Sequence, residues 1–223
     1  MLLAIAAGCN DAPPAQESVP AAPPQATAPA PPPTPSPRDT RKAILFVGTS
    51  LTAGYGIGAE FAYPAVIQQK IDSAGLPYRV VNAGISGETS AGGLRRIDWS
   101  LQQPIDVLVL ELGANDALRG LSIDSMKSNL HEIIKHARAQ YPAVKIVIAG
   151  MEAPPNLGSY YTTRFRDAFR DVARENDAVL VPFLLEGVGG RRELNQDDGI
   201  HPTIAGQRIL ANNVWAYLRP LLQ

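Results

Sequence analysis

Five short apolar runs, each too brief for a helix and each parted from the next by helical or loop segments, constrain this chain more than any other feature. They occupy residues 43–47, 78–82, 105–112, 144–149 and 178–181. β-branched residues are frequent in them, and Ala43-Ile44-Leu45-Phe46-Val47 has no polar residue to put in water, the mark of a strand buried on both faces. Residues 61–74 read as an amphipathic helix with Val66, Ile67 and Ile71 inward, Pro64 in the first turn and Gly75 as the stop. Further helices are predicted over 125–139 and 162–175, with a closing helix over 203–222. Strands regularly separated by helices imply an α/β fold: a parallel sheet of about five strands, covered on both faces.

The remaining bounds are simple. A length of 223 residues allows one ordinary domain plus an extension. The formal net charge of -1 leaves no electrostatic footprint for nucleic acid, and Arg95-Arg96 and Arg191-Arg192 read as solvated surface. The single cysteine, Cys9, excludes an intramolecular disulfide and a multi-cysteine metal site. No apolar run approaches the ~20 residues of a membrane span.

Residues 1–9 read as the tail of a signal peptide without its basic front. Ala6-Ala7-Gly8-Cys9 resembles a bacterial lipobox, with Ala6 where Leu is preferred, which makes Cys9 a candidate for lipidation. A chance cysteine behind a short apolar stretch is the plainer alternative. Residues 10–41 are rich in Pro and Ala and read as an extended linker that would hold the 42–223 domain off a membrane surface. The expected location is the periplasmic face of the cell envelope, lipid-anchored, with secretion as the alternative.

Chemistry concentrates where strands end. The first strand runs into Gly48-Thr49-Ser50-Leu51-Thr52, the second into Ala83-Gly84-Ile85-Ser86-Gly87, and the third into Gly113-Ala114-Asn115-Asp116. In a parallel sheet these loops emerge at one edge, where open α/β sheets bind ligands. Ser50 there is either a helix cap or a nucleophile, and a nucleophile needs a base. Asp198-Gly199-Ile200-His201 supplies one, because a carboxylate three residues before a histidine can hold Nδ1–H and leave Nε2 free for a serine hydroxyl. The Ser50 N–H, the Gly84 N–H and the Asn115 amide are candidate donors to an oxyanion. His131 and His136 lie in a predicted helix at spacing unsuited to one site and read as structural.

In that order, these four blocks resemble the SGNH (GDSL) hydrolases. Gly-Thr-Ser-Leu stands where the family usually has Gly-Asp-Ser-Leu, so Thr49 departs from the pattern while the nucleophile stays in place. Leu118-Arg119-Gly120-Leu121, the stretch from Met151 to Gly158 and that from Val181 to Val188 are similar to the thioesterase I, protease I and lysophospholipase group, also called arylesterases. The resemblance covers roughly residues 42 to 220. It implies a flavodoxin-like three-layer sandwich and a metal-free serine esterase for acyl esters and thioesters; a monomer without cofactor is expected. It assigns Ser50, Asp198 and His201 to the triad and Ser50, Gly84 and Asn115 to the oxyanion hole; Asp197 is one residue off the family spacing. Leu118, Leu121 and Leu157 are expected near the acyl pocket. The competing expectations are a carbohydrate O-acetylesterase of the envelope and a binding module without turnover.

Overall fold

The computed structural model describes residues 40–223, so the expectations for Cys9, the leader and the linker as far as residue 39 lie outside the described residues. All five predicted strands form. They are β1 (Lys42–Gly48), β2 (Tyr78–Gly84), β3 (Val107–Glu111), β4 (Lys145–Ala149) and β5 (Val179–Val181). They join in one parallel sheet of order β2-β1-β3-β4-β5. This is the flavodoxin-like order, whose reversal of winding between β1 and β3 opens a crevice at the carboxyl ends of those two strands. Every residue of β3, and β1 beyond Lys42, is buried, as their unbroken apolar sequences require.

Seven α-helices among the described residues complete the sandwich. The short α1 (Ser50–Ala53) follows β1 at once, and α2 (Tyr63–Ser73) packs against the closing α7 (Ile204–Leu218). On the other face α3 (Ser90–Ser100) meets α5 (Ile123–Gln140), and α5 meets α6 (Ser159–Glu175). The helix α5 buries Ile123, Met126, Leu130, Ile133, Ile134 and Ala137, a stripe spaced by three and four residues that turns one face to the core. The five-residue α4 (Ala114–Leu118) follows β3.

The reading by periodicity missed α3, and its sequence explains why. Gly92 and Gly93 sit in its first turn, where glycine argues against helix. Tertiary packing overrides that preference: a Cβ on Gly93 would lie 2.4 Å from Leu112 Cδ1, so the close approach of helix to sheet requires a bare α-carbon there. Thr89 caps the helix, its hydroxyl accepting from the Gly92 N–H.

Candidate active site

The crevice between β1 and β3 holds the polar loops. Ser50 stands two residues beyond the end of β1, in the first turn of α1, and its hydroxyl caps nothing; Thr49 occupies the cap position without a side-chain cap bond. Instead, Ser50 Oγ lies 2.9 Å from His201 Nε2. The other ring nitrogen of His201 lies 2.7 Å from Asp198 Oδ2. Three side chains from opposite ends of the domain thus form one chain of hydrogen bonds.

The loop bearing His201 is built for that contact. Asp198 Oδ1 accepts from the backbone N–H groups of Ile200 and His201, each at 2.9 Å, which closes the turn by its own side chain. Donation from the His201 backbone N–H and then its ring, together with the Ile200 N–H, holds the Asp198 carboxyl at about 2, below its usual range, so it stays ionised. Gln196 ties this loop to the serine side: its N–H donates to His201 O at 2.7 Å and its side-chain amide to Tyr55 O at 2.8 Å. The Tyr55 ring lies 4.5 Å, centroid to centroid, from the imidazole and limits its tilt. Asp197 is exposed and makes no bond to His201 among the described residues.

Asn115 stands in the first turn of α4 beside the cleft, and its Nδ2 gives one proton to Glu88 O at 3.0 Å, leaving the other for a ligand. Buried Asp116 accepts from the Ser90 N–H and hydroxyl at 2.8 and 2.6 Å, which fastens the loop after β2 against α4. A cleft of about 220 Å³ is lined by Ser50, Tyr55, Gly87, Asn115, Leu118, Met151, Leu185, Ile200 and His201. Leu118, Met151, Leu185 and Ile200 are shared with a neighbouring, more extended groove of about 440 Å³ that runs past Pro154 and Phe183. Clefts of about 450 and 720 Å³ elsewhere include neither Ser50 nor His201.

Two expectations need correction. Gly84 does not reach the cleft: β2 continues to residue 84, and the Gly84 N–H donates to Asn82 Oδ1 at 2.9 Å. Its missing side chain serves packing, since a Cβ would lie 2.4 Å from Ala53 N. Gly87, three residues on, lines the cleft with φ +78, its carbonyl held by Arg119 Nη2 at 2.8 Å. Neither the Gly87 nor the Ser50 N–H donates to another group among the described residues. Leu121 and Leu157 are exposed and line neither groove; only Leu118 of the three expected leucines does. Sequence reasoning passed over Met151, which follows β4 at the same sheet edge, and Ile200, inside the block that supplied His201. His131 and His136 pair with Glu175 and Asp98, as structural residues would.

Beneath the serine, Glu111 at the end of β3 is wholly buried. Burial raises its carboxyl to about 7 against the opposing pull of hydrogen bonds from Thr49 and Thr52. Burial likewise pushes the nearby Tyr63 phenol well above its ordinary range.

Residues 46–209 match the GDSL-like lipase/acylhydrolase family. The chain belongs to that family. This GDSL-family hydrolase is 42% identical over 182 residues to the esterase TesA of Pseudomonas aeruginosa, covering 81% of this chain and 90% of that one. It is 37% identical over 181 residues to the thioesterase 1/protease 1/lysophospholipase L1 of Escherichia coli K12, with 80% and 84% covered. Its fold matches a crystal structure of the psychrotrophic esterase EstA from Pseudoalteromonas sp., inhibited by monoethylphosphonate, with a TM-score of 0.75 and 32% identity over 80% of this chain and 97% of that one. The matched residues reach all five strands of the sheet and take in most of the helices that cover it.

Proposed function

We propose that the hydrolase is a serine esterase that cleaves acyl esters and thioesters through an acyl-enzyme on Ser50. The observation that carries the reading is the 2.9 Å approach of His201 Nε2 to Ser50 Oγ, with Asp198 on the far nitrogen. His201 takes the Ser50 proton as Oγ attacks the acyl carbonyl carbon. The tetrahedral oxyanion accepts from the Ser50 N–H, the Gly87 N–H and Asn115 Nδ2. The imidazolium, held by ionised Asp198, then protonates the departing alcohol or thiol. Water repeats the sequence and releases the acid.

The apolar wall made by Leu118, Met151, Leu185 and Ile200 suits an acyl chain of several carbons better than a lone acetyl group. The competing O-acetylesterase reading requires acetylated xylan to be turned over faster than p-nitrophenyl butyrate. A binding module without turnover has no use for a base poised on a serine. The deciding experiment is labelling with a fluorophosphonate: wild type is labelled, Ser50→Ala is neither labelled nor active, and an active Ser50→Ala ends the serine mechanism. The envelope reading adds Cys9 as the lipidated residue; incorporation of a palmitate analogue that survives Cys9→Ala would remove it.

A further inference from the structure

We propose that Glu111 is a positioning residue for this reaction, a buried carboxylate that fixes the nucleophile turn relative to the loop bearing Asn115. The inference rests on the serine-esterase reading above. Its basis is the connectivity around the carboxylate. The Thr49 N–H donates to Glu111 Oε2 at 2.8 Å, and the Thr49 hydroxyl donates to Oε1 at 2.9 Å. The Thr52 hydroxyl donates to Oε2 at 2.8 Å and stands 2.9 Å from the Tyr63 hydroxyl, which therefore donates to it. Thr49 and Thr52 flank Ser50, so the two residues bracketing the nucleophile are both strapped to one side chain of β3.

The same residue begins the path to the other half of the site. Glu111 ends β3, and Leu112-Gly113-Ala114 leads from it to Asn115. The Ser50 N–H and the Asn115 amide, which come from different crossovers of the sheet, thereby share one fixed point. Space has been cleared for it: a Cβ on Gly48, the register partner of Glu111, would lie 2.7 Å from Glu111 Oε2 and 2.0 Å from Thr52 Oγ1. A carboxylate can accept all of these bonds at once, while a carboxamide must turn an N–H₂ toward at least one donor. The position also explains how Thr49 can stand where the family usually carries an acid: its hydroxyl is a donor to a carboxylate already present. No atom of Glu111 lines the cleft, so its effect on rate must act through placement.

The test compares wild type, E111Q, T49V, T49S and S50A in steady-state hydrolysis of p-nitrophenyl butyrate, with Tm and circular dichroism on each. A misplacement of about one ångström in such a site can cost about a hundredfold in rate. The expected result for folded E111Q is a kcat at least about tenfold lower with KM within about threefold of wild type. T49V is expected to lose kcat in the same sense, and T49S, which keeps both donors, to match wild type. A merely stabilising Glu111 would lower Tm and leave kcat per folded molecule intact, so a folded E111Q with less than that loss overturns the proposal. Should E111Q fail to fold, equal kcat values for T49V and T49S overturn it instead. Turnover by S50A would break the serine mechanism itself, whereas an inactive S50A beside a fully active E111Q removes only the role of Glu111.

Discussion

Replacing Asp198 by Asn separates the geometry of the site from its protonation. The Asp198 carboxylate has two distinct tasks: Oδ1 closes the turn through the Ile200 and His201 N–H groups, and Oδ2 faces His201 Nδ1 at 2.7 Å. An asparagine that keeps Oδ1 in place keeps the turn, but it aims Nδ2–H₂ at Nδ1. The ring must then carry its proton on Nε2, which points at Ser50 Oγ and can no longer accept from it. The flipped amide would restore the productive tautomer only by facing N–H₂ against two N–H donors. Losing two bonds of about 1 kcal/mol each leaves that arrangement populated at a few per cent. The imidazolium formed during attack also loses its neighbouring charge. In the general Ser-His-Asp template this exchange lowers kcat about ten-thousandfold, so a loss of about 10³- to 10⁴-fold, or about 4 to 5.5 kcal/mol, is expected here. The assay is initial-rate hydrolysis of p-nitrophenyl butyrate across substrate concentration at pH 8, with Tm by scanning fluorimetry. KM and Tm should move little, and Asp197→Asn should behave as wild type. An Asp198→Asn enzyme within tenfold of wild-type kcat would refute the role given to the carboxylate.

Asn115→Ala should lower kcat about a hundred- to a thousandfold with little change in Tm, since one oxyanion donor is lost and only the bond to Glu88 O is broken with it; parallel loss of fold and activity would argue against it. Gly84→Ala should cost the fold first, because its Cβ would strike the α1 backbone, and a wild-type Tm would contradict the packing described. Gly87→Ala meets nothing nearer than 3.6 Å but strains a φ of +78, so about 1–2 kcal/mol of stability should go together with activity; circular dichroism melts and rates report both. Because burial raises the Glu111 carboxyl from 4.5 to about 7, wild type should be most stable relative to Glu111→Gln below about pH 4.5. That advantage should shrink as pH rises through 7, by up to about 3 kcal/mol, and a pH-independent difference in urea midpoints would show that the buried charge carries no such cost.

The order of strands and helices was legible from the sequence because buried strands and amphipathic helices write different apolar periods into it. The segments flanking the sheet edge were legible too, since a serine and an asparagine stood where parallel strands must end and an Asp-x-x-His pair stood just before the last helix. The choice between Gly84 and Gly87 was not. It turned on two further residues of β2, and strand ends are set by pairing with β1 rather than by the strand's own residues. The helix α3 was hidden because Gly93, which argues against helix locally, serves the approach of Leu112, a contact the local sequence does not show. Glu111 was the least legible of all: within an apolar strand it looks like an ordinary polar end. Only the folded sheet brings Thr49 and Thr52 to it, because hydrogen bonds between distant segments leave no period in a sequence. Local pattern determined which elements form and which chemistry stands at their ends, while packing across the sheet decided which of those groups face the cleft.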